Sequence, residues 1–453
     1  MGRGFWEDDK KEKRMKRIMM LICFLGLLAM GTYAQQYQEG IPWGNAYFKP
    51  SIEFIYAHSD NIMLVDPSIG EKMDDNIWII RPQVGIEFPF ENSYVNLTIQ
   101  YEYKDYDDYE LLHHDTWAGT LDSQFRFSND SVLSIKDHYI QGVQQTEQFD
   151  PDMEVYWNTS RFTRNEAKVD YSIPITPLNS LGINLSHNFV NFKGDHDSGI
   201  IPFYSFGQKS GGIFWKYHYQ PLASLVFEWE LIQSDPRNDN YFYTPVGTYT
   251  TEKSYRENRI SLGWEGDAQR RLSGFAKIGY ERMNFSEYLG YNYDDYKGVV
   301  ADAGLTLKLT EFSDINANIF RHADQSAFNV NNYYTATGAD LRLHHQFNRY
   351  LFGTIGGKYQ KNNYPEGIDP DIDRDGKIDV AMFWYLKGQH RNDEITQFLA
   401  ELGYHFSPRI SLRVNYSYEN RDCNLRYVDS FNILRKPFSY TENRFIFQLQ
   451  MGW

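Results

Sequence analysis

Residues 94–103 read YVNLTIQYEY. Val95, Leu97, Ile99, Tyr101 and Tyr103 fall on one side of an extended chain, with Asn96, Thr98, Gln100 and Glu102 on the other. Alternation with a period of two predicts a β-strand with one apolar and one polar face. The pattern returns in LGINLS (181–186), LVFEWEL (225–231), RLSGFAKIGY (271–280), ADAGLTLKL (301–309), DINANI (314–319), ADLRLH (339–344) and ISLRVNYSY (410–418). After residue 34 no segment carries a convincing 3.6-residue period, so the expected fold class is all-β.

A soluble sandwich also alternates, and the connections separate the two architectures. Tight polar turns at 91–93, 128–131, 176–179, 220–221, 267–270, 310–313, 348–349 and 407–409 alternate with longer, more acidic connections. The long ones lie near 61–74, 107–113, 144–162, 193–203, 235–247, 286–290, 325–330, 365–390 and 424–436. Short turns on one side and long loops on the other describe a closed antiparallel transmembrane β-barrel, here of about 18 strands, with short periplasmic turns and longer extracellular loops.

Residue type also changes with height. Strands leaving a short turn run aliphatic first and aromatic last, as in Ile410, Leu412, Val414, Tyr416 and Tyr418. Strands returning from a long loop run the other way, with Tyr291, Tyr293 and Tyr296 ahead of Val299, Ala301 and Ala303, and Tyr333 and Tyr334 ahead of Ala339 and Leu341. A band of tyrosines at the long-loop level is what a membrane interface selects. In the last nine residues, FIFQLQMGW, Phe445, Phe447, Leu449, Met451 and Trp453 share one face. A final alternating strand ending in an aromatic looks like the signal read by the barrel-assembly machinery of the outer membrane.

Lys13, Arg14, Lys16 and Arg17 precede the apolar run 18–31, and Thr32-Tyr33-Ala34 follows it. That is the layout of a secretory signal peptide cut after Ala34, with Met15 a plausible true start. Fourteen apolar residues are too few to span about 30 Å of hydrocarbon as a helix. The expected organisation is therefore a signal peptide over 1–34, a short periplasmic lead over 35–48 and an outer-membrane barrel over 49–453. A lead of that length leaves no room for a plug domain.

Composition sharpens this picture. Aromatics make up 17% of the chain, with 35 Tyr and 31 Phe, which excludes intrinsic disorder. The net charge of −15 argues against nucleic acid as a partner, and two cysteines exclude a disulfide scaffold. The expected surroundings are outer-membrane lipid.

A barrel of 16–18 strands encloses a lumen too wide for side chains to fill. By parity its wall carries Arg81, Glu102, Lys104, Arg126, Glu228, Arg259, Lys277, Glu281, Arg342, Lys358, Arg413 and Arg444, a polar lining of mixed sign. Such a wall suits a hydrophilic solute, although the same residues would also make ion-pair ladders that only stiffen the sheet. Residues 369–382, DPDIDRDGKIDVAM, place Asp371, Asp373, Asp375, Lys377 (through its carbonyl) and Asp379 at ligand positions of an EF-hand-type loop, with Gly376 at the sharp turn. Met382 stands where the bidentate Glu belongs, so Ca²⁺ binding is expected to be weak, with Asp369 the nearest substitute. No catalytic motif is present: G-x-S-x-G, H-E-x-x-H and a phosphate-binding glycine loop are all absent, and no enzyme is expected.

The chain resembles the β-barrel porin-2 family of bacterial outer-membrane proteins. The resemblance lies in Ser59-Asp60-Asn61, Asp75-Asn76 leading into Arg81-Pro82, the run YEYKDYDDY (101–109) and His114-Asp115. It implies a channel in the outer membrane, linked in that family to exopolysaccharide export, with polysaccharide or a periplasmic export partner as its associates. Two other functions compete with it: a surface-binding barrel that displays calcium-ordered loops and, less favoured, a membrane-embedded hydrolase.

Overall fold

The computed structural model describes residues 40–143, 161–193, 205–236, 241–244, 247–250, 254–266, 271–286, 295–326, 331–367, 386–428 and 432–452. The expected signal peptide, the calcium-type loop (Asp371, Asp373, Asp375, Lys377, Asp379) and Trp453 lie outside them. Eighteen long strands form one sheet. They are β1 (Ala46–Ser59), β2 (Asp75–Pro89), β3 (Tyr94–Tyr106), β4 (His114–Arg126), β5 (Val132–Gly142) and β6 (Arg161–Thr176). Next come β7 (Asn179–Lys193), β8 (Phe206–Gln220), β9 (Ala223–Pro236), β10 (Tyr255–Gly266), β11 (Leu272–Phe285) and β12 (Tyr296–Lys308). The last six are β13 (Ser313–Gln325), β14 (Tyr333–Gln346), β15 (Leu351–Gly367), β16 (His390–Ser407), β17 (Ile410–Cys423) and β18 (Tyr440–Gly452). The first of these long strands begins at Ala46.

Each strand pairs antiparallel with the next, from Tyr56↔Trp78 between β1 and β2 to Val414↔Phe447 between β17 and β18. The last strand then pairs with the first, from Ser51↔Gly452 to Ser59↔Arg444. That final ladder removes both edges. In hydrocarbon this is obligatory, because an unpaired N–H or C=O has no water to turn to.

The short turns within the described residues form where the sequence predicts them, and the turn expected at 267–270 lies outside those residues. Phe90 N–H donates to Ser93 O (2.8 Å), and Asp130, at φ 59°, turns the chain before Ser131, whose N–H donates to Asn129 Oδ1 (3.2 Å). Near the start of β11, Gly274 adopts φ +132°, and a Cβ there would stand 1.9 Å from Gly304 O. Only glycine permits that approach. A 3₁₀ turn at Glu110–Leu112 interrupts the connection between β3 and β4.

Exposure follows the period of two. On β10, Arg256, Asn258, Ile260 and Leu262 are exposed while Tyr255, Glu257, Ser261 and Gly263 are buried or covered. Leu181, Ile183 and Leu185 on β7, Leu225, Phe227 and Leu231 on β9, and Ile278 on β11 form a continuous exposed apolar belt. Trp78, Tyr103, Trp117, Tyr139, Tyr280 and Tyr359 crown it toward the long loops. A second aromatic band that the sequence reading did not anticipate lies at the short-turn end, in Phe88, Phe90, Phe127, Tyr219, Phe312, Phe347, Tyr404 and Phe406. Two aromatic girdles around an apolar belt are the profile of a bilayer.

One expectation is corrected. Tyr296, Tyr333 and Tyr334 do not join the girdle: they are 5%, 8% and 3% exposed and pack within the protein. Two reasons apply. Tyr296 and Tyr334 fall in the inward rows, of opposite parity to the outward Lys297 and Thr337. Tyr333 is in an outward row, but β12 and β13 pair only from Ala301↔Arg321 to Lys308↔Asp314, so beyond them the two strands part and the outer end of β13, with Tyr333 paired to it, leans away.

Candidate functional site: the inner wall of the barrel

Side chains that reach past an intervening strand identify the concave face. Asn184 on β7 donates to Glu228 on β9 (2.8 Å), and Lys277 on β11 reaches the same carboxylate (2.9 Å). Lys216 on β8 pairs with Glu265 on β10 (2.7 Å), and Gln208 on β8 donates to Tyr255 on β10 (2.8 Å). All belong to the row opposite the apolar belt. The inner wall is therefore polar because every second residue was polar in the sequence.

On β1–β5 the outer end of this wall is capped by a smaller apolar cluster, Ala57, Ile62, Ile77 and Tyr106 with Met63, Met73 and Leu112 of the adjoining connections against it, and below that the wall is open. Arg81 donates to Glu53 (2.7 Å) and Glu102 (2.8 Å), and Lys104 stands 3.4 Å from Glu102. Beside them lies a cavity of about 450 Å³ lined by Arg81, Gln83, Thr98, Gln100, Glu102, Thr116, Thr120 and His138. Five of these side chains are neutral amides or hydroxyls, Arg81 and Glu102 form a charged pair within the lining, and Ala118 and Ile140 add apolar surface.

At the outer ends of β9–β13 the wall is covered. Gln325 on β13 accepts from Ser234 on β9 (3.0 Å), although three strands lie between them in the sheet. That contact requires the end of β13 to cross the concave face of β10–β12. Beneath it Tyr255, Met283, Tyr296, Ala323 and Tyr333 form a buried cluster with Phe285 against it. Phe285 stacks on Tyr333 at 6.1 Å, and Tyr296 meets Tyr333 edge-on at 5.4 Å. One turn deeper, Arg259 bridges Glu257 (2.9 Å) and Glu281 (2.7 Å).

A second cover lies over β15–β18. Arg391, Asp393 and Arg421 are almost wholly buried, with Asp393 2.7 Å from Arg391 and also bonded to Arg421. The Arg391 guanidinium lies 4.5 Å from the Tyr364 ring and 4.6 Å from that of Phe438, a residue of the connection between β17 and β18. Leu386 and Leu425, from the neighbouring connections, complete the burial. This connection is itself fastened to the one after β1: Arg435 donates to Ser68 O, Lys436 N–H to Ser68 Oγ (2.9 Å), and Lys72 to Thr441 Oγ1 (2.7 Å).

The charged residues selected by parity divide by environment. Arg81, Glu102, Lys104, Glu228, Arg259, Lys277 and Glu281 are members of the ion-pair ladders described above. Arg444 pairs with Glu442 (2.8 Å). Arg342 keeps more than half of its side chain exposed at 3.7 Å from Asp340, Lys358 stands over the Phe320 ring, and Arg413 lies 5.9 Å from the Phe352 ring. Arg126 is exposed at the short-turn end of β4. In the last strand Phe445 and Phe447 are exposed on the apolar face, and Met451 on the same face is buried. Among the described residues no three His, Cys, Asp or Glu side chains are grouped to hold a metal.

Sequence reasoning missed both covers. A signal existed: Tyr255, Met283, Phe285 and Tyr296 put large apolar groups in inward positions at the ends of strands, where the wall should be polar. Apolar groups facing a wet lumen call for something to lie over them.

A closed antiparallel sheet with an apolar convex face, two aromatic girdles and a polar concave face is a β-barrel of the outer-membrane type. The family model described as "Putative beta-barrel porin 2" matches residues 238–436 of this chain. The match falls in the later strands, whereas the motifs carrying the resemblance read from the sequence lie before residue 238. Among solved structures, the chain is similar to the outer membrane protein opdK of Pseudomonas aeruginosa, at 10% identity over 90% of this chain and 99% of that one, with a TM-score of 0.43. It is also similar to the FrpB iron transporter of Neisseria meningitidis, at 8% identity over 92% and 82%, with a TM-score of 0.46. The closure of the barrel stands on the strand registers and not on these likenesses. No curated protein matches the chain.

Proposed function

We propose that the protein is a channel for hydrophilic solutes across the outer membrane, narrowed at its outer mouth by the two inward covers. The observation that carries this reading is the polar concave wall, which on β2–β5 borders a cavity of about 450 Å³ lined mainly by amides, hydroxyls and the Arg81–Glu102 pair. Barrels of this strand number have a lumen that wall side chains alone cannot fill, so additional segments have to set its width. A lining of Gln, Thr and paired charges offers donors and acceptors without a dominant sign, which suits neutral polar cargo better than one ion class. The family resemblance adds secreted polysaccharide as the cargo to test first.

Planar-bilayer recording on the purified full-length protein tests the reading. A small steady conductance is expected, rising when Arg391 and Arg421 are both replaced by Ala to loosen the cover over β15–β18. A barrel that stays non-conducting in both forms would overturn it.

A further inference from the structure

On the convex face of β10–β13, just beyond the apolar belt, the outward rows change from aliphatic to basic. β10 runs Leu262, Ile260, Asn258, Arg256; β11 runs Ile278, Tyr280, Arg282; β12 runs Val299 and then Lys297. The registers align these changes. Tyr280 faces Ile260 on one side and Val299 on the other, and Arg282 faces Asn258 and Lys297. Arg321 on β13 joins from the side, donating to Val299 O (3.2 Å) and Thr337 Oγ1 (2.9 Å). All four basic side chains are exposed.

The arrangement is unfavourable as it stands. Arg282 and Lys297 are direct cross-strand neighbours, and like charges in that position repel. Arg282 donates to Asn284 Oδ1 (2.7 Å) and stands 3.9 Å from Asp295, and no other described carboxylate forms an ion pair with the four. The chain as a whole carries −15, so a basic arc is not a by-product of composition. The height of Arg256, Arg282 and Lys297 is specific too: immediately outside the Tyr280 girdle, on the long-loop side, at the level of lipid headgroups, while Arg321, in register with Ala301 and Ile278, reaches up to Val299 from below.

We propose that this arc, Arg256, Arg282, Lys297 and Arg321, binds the phosphate of a phosphorylated glycolipid in the outer leaflet. Guanidinium groups suit phosphate because they donate through two parallel N–H bonds, and an anion between Arg282 and Lys297 turns their repulsion into shared attraction. The acyl chains of the same lipid would lie along Ile260, Leu262, Ile278 and Val299. This inference depends on the convex face meeting lipid and not on what the lumen conducts.

The test is native mass spectrometry of the full-length protein in detergent with diphosphoryl lipid A, compared with its dephosphorylated form and with inorganic phosphate. Retention of diphosphoryl lipid A is expected to fall more than about tenfold in R256Q/R282Q/K297Q, each basic headgroup contact contributing separately. R256K/R282K, which keeps the charge, should retain most of it and shows that loss is not a failure to fold. Equal retention by wild type and the Gln variant would overturn the proposal. So would equal binding of the dephosphorylated lipid, or full displacement of lipid A by millimolar inorganic phosphate.

Discussion

The two covers over the inner wall do the same job with opposite chemistry. Over β10–β12 the contact is apolar, with Tyr255, Met283, Tyr296, Ala323 and Tyr333 closing on one another. Over β15–β18 it is ionic, with one carboxylate between two guanidiniums and two aromatic rings. Apolar burial scales with the area removed from water, so that cover can loosen by degrees. A buried charge cluster is close to all-or-none, because removing one member strands the others away from solvent. The β15–β18 side is therefore built as a latch and the β10–β12 side as a cushion.

The largest effect should come from Asp393→Ala, which removes the carboxylate that the buried Arg391 and Arg421 share. A loss of about 3–5 kcal/mol in the local cover is expected. It should be read as faster proteolysis within 424–439 and raised conductance, with the barrel still folded. Replacing all three residues together with Met, Leu and Met should restore most of the protection, since a buried ionic triad exchanged for packed apolar groups is often neutral. If the triple replacement is as open as Asp393→Ala, the latch reading fails.

On the other side, Met283→Ala should cost about 2–4 kcal/mol through the cavity it leaves, with a partial gain in conductance and no abrupt opening. An opening as large as that of Asp393→Ala would erase the contrast. Ser234→Ala removes the hydrogen bond that ties β9 to the leaning end of β13, worth about 1 kcal/mol. Hydrogen exchange at 322–326 should quicken, while 421–423 stay unchanged. The smallest effect is expected for calcium. Binding through Asp371, Asp373, Asp375 and Asp379 should be weak, with a Kd of about 10⁻⁴–10⁻³ M by calorimetry on the intact protein. Absence of heat at millimolar Ca²⁺ would reduce those carboxylates to solvating charge.

What was legible in the sequence followed from periodicity. Strand alternation, turn positions, the strand number and the outer girdle at Tyr280 and Tyr416 all read directly, because each depends on residues close in sequence. The covers did not, because they depend on contacts far apart along the chain: Ser234 with Gln325, Tyr364 with Arg391, and Ser68 with Arg435. Tyr333 illustrates the failure. It obeys the girdle rule by position and breaks it in space, since β13 leaves β12 beyond Arg321. Conversely, the motifs that carried the family resemblance acquire a physical reason. Asp60 accepts from Asn443 N–H (2.7 Å) and Nδ2 (2.8 Å), and Asn61 donates to Thr441 O (2.9 Å). Asp75 accepts from the N–H groups of Asn76 (2.7 Å) and Asp108 (3.1 Å). Asp60, Asn61 and Asp75 fasten the outer rim of the wall, whereas Arg81 and Glu102 of the same motifs line the cavity of about 450 Å³.

The ladder between Ser51–Ser59 and Arg444–Gly452 joins segments separated by almost the entire polypeptide. No local event during folding can form it, and the loop-closure entropy it carries is the largest in the molecule. Circularisation is thus expected to be the slow, late step of folding. Any substitution at Asp60, Asn61 or Asn443 should act on the rate at which the cylinder seals, well before it alters what the finished cylinder does.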